Sequence, residues 1–142
     1  MNRTLTLVFA VAAAGIVATG GSATPRSGAL HVTKECSQYQ GHAGEFCTIT
    51  SSSINAIKPG SKVFYASGAA LGALDSDLVI DGPGNNNAFG HVVLNLSTLS
   101  GTVTLSGGTG EFSHFHAGPI TVACPAFPAC SWDGPYSFGP ND

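Results

Sequence analysis

Three glycines within four residues, Gly107, Gly108 and Gly110, lie between two stretches whose side chains favour β-strands. These stretches are Thr102–Leu105 on one side and Phe115–Cys124 on the other. Because glycine has no Cβ, such positions can take a positive φ or pass close to a neighbouring strand, where another residue would clash. The pattern predicts a hairpin with a bulge or kink, a feature that turns the corners of β-barrels.

Short β-patterned segments separated by turn residues make up most of the chain, and no segment is a convincing helix. The predicted strands are Leu30–Lys34, Phe46–Thr50, Lys62–Ala66, Asp77–Ile80, Phe89–Leu96, Thr102–Leu105, Phe112–Cys124 with a bend or bulge at Gly118-Pro119, and one within Trp132–Phe138. Such a series of short strands is typical of an all-β barrel or sandwich. The segment Phe89–Leu96 is apolar on both faces, as in a barrel strand that also packs against a partner subunit or in a central sandwich strand.

The first 23 residues have the pattern of a signal peptide. Arg3 gives a basic start, an apolar run extends from Leu5 to about Ala18, and small residues precede a cleavage point after Ala23. An uncleaved membrane anchor is the less favoured alternative, because this run is short for a bilayer span. The remaining chain, residues 24–142, is predicted to be one exported domain.

The charge of this domain restricts its partners. Four basic residues stand against eight acidic ones in the mature chain, which gives a net charge of −4. Because no basic patch is present, nucleic acid is not an expected partner, and neither is an anionic membrane once the signal peptide is removed.

Four cysteines, Cys36, Cys47, Cys124 and Cys130, fit an oxidising compartment. They can pair in three ways. Pairing Cys36 with Cys47 and Cys124 with Cys130 is favoured, because each pair encloses a segment rich in turn residues. The spacings differ from those of zinc ribbons and fingers, so a structural zinc site is not favoured.

Three successive segments, Phe89–Leu94, Gly101–Leu105 and Gly107–Phe112, form a Gly-His-aliphatic strand, a second strand and a Gly-Gly-Thr-Gly-Glu-Phe hairpin. In this register they resemble the barrel of plant allene oxide cyclases and dirigent proteins, and the resemblance covers roughly Asp77–Val122. It implies an antiparallel eight-stranded closed barrel with an apolar lumen, usually a homotrimer, that works without a cofactor. Members of the family hold a reactive hydrophobic intermediate in the lumen and direct its cyclisation or coupling.

Two carboxylates are weak catalytic candidates. The cyclases carry a catalytic glutamate on an early strand, and Glu35 is the only nearby glutamate here, although its place beside Cys36 favours a solvent-facing side chain. Asp77 shares a strand face with Asp81, and a carboxylate inside an apolar lumen would have a raised pKa and serve as an acid or base. The alternative for both aspartates, and the favoured one for Asp81, is turn chemistry.

Histidines are the most informative polar residues in the sequence as candidates for a binding site. His114 and His116 are predicted to share a strand face with Phe112. Plant relatives have a tyrosine or an arginine where His116 stands, so the resemblance makes His116 the first candidate for a ligand-binding residue in the lumen, with His114, His91 and Phe112 beside it. Two histidines with His91 as a third ligand would also suit a metal, but structural or surface histidines are commoner, and no metal is predicted.

These observations predict a secreted barrel that binds a small hydrophobic molecule in its lumen. It would act either as a cofactor-free cyclase or isomerase, or as a non-catalytic carrier comparable to a lipocalin. A third possibility is a structural barrel with a filled core. A buried ionisable group without a neutralising partner would favour the enzyme, a purely apolar lining the carrier, and a lumen filled by side chains the structural barrel.

Overall fold

Eight antiparallel strands close into one barrel in the computed structural model, which describes residues 26–139. The strands are β1 (Ser27–Glu35), β2 (Phe46–Ser52), β3 (Lys62–Tyr65), β4 (Ala73–Asp81), β5 (Asn87–Asn95), β6 (Ser100–Gly108), β7 (Phe115–Ala126) and β8 (Ala129–Phe138). Each strand pairs with its neighbours in the chain, and β1 pairs with β8 to close the barrel. The predicted fold class, an all-β eight-stranded closed barrel, is confirmed.

The predicted signal peptide, residues 1–23, lies outside the residues that the structure describes. Within residues 26–139, no helix has the length and apolar character needed to cross a membrane.

Side chains alternate between the lumen and the outer surface, as the pleat of a β-strand requires. On β1, Leu30, Val32 and Lys34 are buried, whereas His31 between them is exposed. Large side chains fill most of the lumen, and the largest fully buried ones are Trp132, Phe112, Phe115, Leu30, Ile49, Ile57, Leu74, Leu78, Ile80, Leu105 and Ile120. The barrel therefore has a packed core along most of its length.

The glycine-rich stretch turns the chain as its sequence predicts. Gly107 has φ +82°, and a Cβ placed on Gly108 would lie 2.0 Å from the carbonyl oxygen of Asn87 on β5. A short 3-10 helix, Gly110–Phe112, follows, so β7 begins at Phe115 rather than at Phe112. The bend predicted at Gly118-Pro119 is also present, as a register shift between β7 and β8.

Both disulfides lie at the same end of the barrel. Cys36 bonds to Cys47 across the β1–β2 connection, and Cys124 bonds to Cys130 across the β7–β8 hairpin. The predicted pairing is confirmed, and it fits an oxidising compartment. The connections β3–β4 and β5–β6 lie at this end too, because the strands alternate in direction. We call it the disulfide end.

Candidate functional site

Lys34 is the one basic residue that the fold turns into the lumen, within residues 26–139. It continues the inward series of Leu30 and Val32 on β1, and it is only 5% exposed near the disulfide end. Its Nζ donates a hydrogen bond to Tyr65 Oη at 2.6 Å. The same nitrogen lies 4.6 Å from the ring centre of Trp132. The side chain is thus held between a phenol and an indole face.

No carboxylate among residues 26–139 forms an ion pair with Lys34. Burial disfavours the charged ammonium and lowers the pKa of Lys34 from 10.5 to about 7. The ring of Trp132 attracts a cation and opposes this effect in part. Near neutral pH the side chain is therefore divided between ammonium and free amine, and the free amine is a nucleophile and a base.

Tyr65 is the polar partner of Lys34 and is equally enclosed. It is 3% exposed, and its hydroxyl lies 3.6 Å from Cys47 Sγ as well as close to Nζ. Burial, with a smaller contribution from Tyr39, raises the pKa of the Tyr65 phenol. The phenol therefore keeps its proton at neutral pH, beside an amine that readily loses its own.

A small cavity of about 30 Å³ adjoins Lys34, and we call it the lysine cavity. That space admits about two water molecules or a polar group of similar size. Its lining is mainly apolar and includes both disulfides; the residues are Lys34, Cys36, Tyr39, Cys47, Tyr65, Leu74, Val92, Leu94, Leu96, Leu99, Val122, Cys124, Phe127 and Cys130.

Besides Cys36, four lining residues come from the connections at the disulfide end, and we call these four the mouth of the lysine cavity. Leu96 and Leu99 are half-buried in the β5–β6 turn, and Phe127 in the β7–β8 turn is 49% exposed. Tyr39, in the β1–β2 connection, completes the mouth. Its hydroxyl oxygen is buried and has no hydrogen-bond partner among the described residues. An unpaired buried hydroxyl is costly, and a polar group entering the cavity would relieve that cost.

His116, His91 and Asp77 do not line the lumen, which corrects the sequence-based expectation of where they point. His116 lies between the buried Phe115 and Ala117, so it is on the outer surface. His91 is also exposed, and its imidazole bridges two exposed carboxylates. The Nε2–Asp75 distance is 2.5 Å and the Nδ1–Asp77 distance is 2.9 Å. Asp77 is thus part of a surface ion pair.

The remaining predicted residues are also away from the lysine cavity. Phe112 is buried, as expected, but it packs on Phe115 at 5.4 Å between ring centres, at the opposite end of the lumen. His114 precedes β7 and is half-buried, so it does not share a strand face with His116. Glu35 is half-buried, next to the inward-facing Lys34 on β1, and its carboxylate accepts a hydrogen bond from the Ser37 amide at 2.7 Å.

We expect the His91 imidazole to titrate above its usual range. Hydrogen bonds from His91, first to Asp77 and then to Asp75, stabilise the imidazolium and raise the pKa of His91. An NMR titration of Asp77→Asn should show this pKa moving down towards its ordinary value, whereas Asp81→Asn should leave it unchanged. An Asp77→Asn titration that overlays the unmodified protein would show that the pair does not form in solution.

Residues 26–139 contain no cluster of three or more His, Cys, Asp or Glu side chains that could hold a metal ion. The lining of the lysine cavity offers the amine of Lys34, the phenols of Tyr39 and Tyr65, and apolar walls. Comparison of the chain with protein-family models, with curated proteins and with solved structures finds no match. The resemblance to allene oxide cyclases and dirigent proteins accordingly stays a prediction.

Proposed function

We propose that this protein is an exported barrel that binds a small, mainly apolar molecule at its disulfide end, with the ligand's polar head beside Lys34. One observation carries the proposal: a buried lysine, with no carboxylate partner within residues 26–139, faces a mainly apolar cavity. Natural proteins seldom bury lysine unpaired, because the desolvation of its charge destabilises the fold. Perturbed ionisable groups of this kind are concentrated at functional sites.

The size of the lysine cavity restricts how a ligand would bind. About 30 Å³ accommodates a head of two or three heavy atoms and no more. A longer apolar tail would leave through the mouth, in contact with Leu96, Leu99 and Phe127. Burial of such a tail contributes roughly 0.8 kcal/mol per methylene group removed from water. The affinity would therefore rise with tail length until the tail extends beyond Phe127.

Export and membership of the allene oxide cyclase type belong to the same proposal. The two disulfides and the apolar start of the sequence support export. The closed eight-stranded barrel supports the family resemblance at the level of fold. Cyclase or isomerase activity is the finer proposal, in which Lys34 and Tyr65 would supply a base and a proton donor in place of the glutamate that the plant enzymes use.

A homotrimer is proposed as the assembled form, on the basis of β5. Its outward side chains Phe89 and Val93 are 43% and 49% exposed, while Val92 and Leu94 face the lumen. The outer face of this strand thus presents two exposed apolar side chains, with the polar His91 between them, so the predicted apolar character on both faces holds only in part. Native mass spectrometry of the protein purified from its source would give both the subunit number and the mass of any compound bound to it.

Fluorescence of Trp132, the only tryptophan, tests ligand binding directly, because its ring is close to Nζ of Lys34. Titration with straight-chain alcohols of increasing length should change the emission, with a Kd that falls about three- to fourfold per added methylene. Leu99→Asp, at the mouth, should weaken binding at least tenfold. His116→Ala, on the outer surface, is the matched control and should bind as the unmodified protein does.

The filled lumen supports a second candidate, a structural barrel without a ligand. Absence of binding by every alcohol, together with no bound compound in native mass spectrometry, would overturn the binding proposal in favour of this alternative.

A further inference from the structure

Lys34 and Tyr65 present the two groups needed for reversible covalent capture of a carbonyl compound. We infer that Lys34 forms an imine with a small aldehyde or ketone whose carbonyl enters the lysine cavity and whose apolar tail leaves through its mouth. This inference rests on the proposed function, because it names the chemical class of the ligand that binds there. It adds a covalent step to binding.

The position of Nζ favours nucleophilic attack. The nitrogen lies at the wall of a cavity with room for a carbonyl group, and its one polar partner in the described part of the chain is Tyr65 Oη at 2.6 Å. A carboxylate beside the amine would keep it protonated, and none is paired with it within residues 26–139. Burial favours the free amine at neutral pH, the form in which lysine attacks carbonyl groups.

Tyr65 completes the proton transfers without a further reactant. The nitrogen lone pair attacks the carbonyl carbon, and the carbonyl oxygen takes up a proton from the Tyr65 hydroxyl to give a carbinolamine. The nitrogen returns one proton to the Tyr65 oxygen. The carbinolamine hydroxyl then leaves as water with the second nitrogen proton, transferred through the same phenol. In sum, an amine and a carbonyl compound give an imine and one water molecule, and Tyr65 is again a neutral phenol.

The walls of the lysine cavity favour a neutral carbonyl over a carboxylate head. A buried carboxylate needs several donors to replace its hydration, and the cavity offers Lys34 and the hydroxyls of Tyr65 and Tyr39 amid apolar groups. A neutral carbonyl oxygen needs fewer hydrogen-bond donors than a carboxylate does. The unpartnered Tyr39 hydroxyl is a suitable donor to the head of the bound molecule.

Reductive trapping tests this inference. The folded protein is incubated at pH 7 with octanal and cyanoborohydride, and the modified lysine is then located by peptide mass spectrometry. Among the three lysines, we expect the alkyl adduct to form on Lys34 at least roughly tenfold faster than on the exposed Lys58 and Lys62, because a solvated lysine amine is almost wholly protonated at this pH. Tyr65→Phe should slow adduct formation on Lys34 by about tenfold or more and leave Lys58 and Lys62 unaffected.

Octanol and octanoate serve as the non-reactive probes, and Trp132 fluorescence reports their binding. If octanol binds but octanal gives no preferential adduct on Lys34, the inference is overturned while the proposed function stands. If octanoate binds more tightly than octanol and octanal gives no adduct, the site takes an anion, and the inference is again overturned. If none of the three compounds binds and no adduct forms, the proposed function fails with it. Lys34→Met must lose this adduct, and an adduct that forms on another lysine of that variant at the same rate contradicts the assignment.

Discussion

Replacing Lys34 by methionine is expected to raise the free energy of unfolding at pH 7, by on the order of 4 kcal/mol. In the folded barrel Lys34 is 5% exposed, and burial lowers its pKa from 10.5 to about 7. That difference in pKa is the cost of placing the ammonium in the core. Methionine has a similar length and no charge, so it fills the same space without this cost. The lost hydrogen bond to Tyr65 reduces the gain by about 1 kcal/mol.

The same substitution should remove a pH dependence of stability. Between pH 7 and pH 10.5 the unfolded chain keeps the Lys34 proton while the folded barrel has released it. The unfolded state then binds more protons, so the free energy of unfolding rises with pH, by up to about 1.4 kcal/mol per pH unit. Below pH 7 both states are protonated and Lys34 contributes no slope. Urea denaturation at pH 6.5, 7.5, 8.5 and 9.5 would show the rise and its absence in Lys34→Met.

Lys58→Met is the matched control, since Lys58 is exposed on a turn at the other end of the barrel. It should change the free energy of unfolding by less than about 0.5 kcal/mol at each pH. A Lys34→Met variant that is less stable than the unmodified protein, or one that keeps the slope, would contradict the description of Lys34 as a desolvated amine.

Gly108→Ala is expected to destabilise the barrel by about 3 kcal/mol or more. The added Cβ would lie 2.0 Å from the backbone oxygen of Asn87 and 2.8 Å from Cβ of Phe112. The first of these neighbours is backbone on the adjoining strand β5, so relief requires β5 and β6 to separate. The second is a core residue. Urea denaturation would measure the loss, and the midpoint should fall with it.

Gly107→Ala separates this steric clash from backbone strain. Gly107 has φ +82° and no atom within 4 Å of an added Cβ, so alanine there costs only the strain of a positive φ, about 1 kcal/mol. The two glycines are adjacent, yet the structure gives them different roles. If Gly108→Ala lowers the free energy of unfolding no more than Gly107→Ala does, then β5 and β6 do not approach each other as closely at Gly108 as described here.

The architecture of the barrel follows from local patterns that the sequence displays. Turn residues, β-branched residues and paired cysteines act over short distances, and in an up-and-down barrel every strand pairs with its neighbour in the chain. Local prediction is therefore sufficient for most of the fold. The strand bounds are less well predicted. β4 begins at Ala73 and not at Asp77, because the chain makes a tight turn at Ala70–Ala73, and the small apolar residues before Asp77 do not predict where the strand begins.

The site is harder to predict, because period-two alternation does not say which face of a strand is inside. From His114 to Ala117, histidines alternate with apolar residues, and only the closed barrel shows that Phe115 and Ala117 face the lumen while His116 faces out. Lys34 has a usable signal, since Leu30, Val32, Lys34 and Cys36 all have the same parity. Because lysine is so seldom buried, the parity of Leu30, Val32 and Cys36 alone does not predict that Lys34 also faces the lumen.

Direct titration of the lysine side chains by NMR, with the chain labelled at lysine carbon ε, tests the central claim most closely. Three lysines are present, and Lys34→Met assigns one of the resonances. We predict that the resonance lost in Lys34→Met titrates at about pH 7, far below the range of a solvated lysine, which is near 10.4. If that resonance instead titrates near 10.4, Lys34 is solvated, and the lysine cavity could then neither bind nor capture a ligand as described.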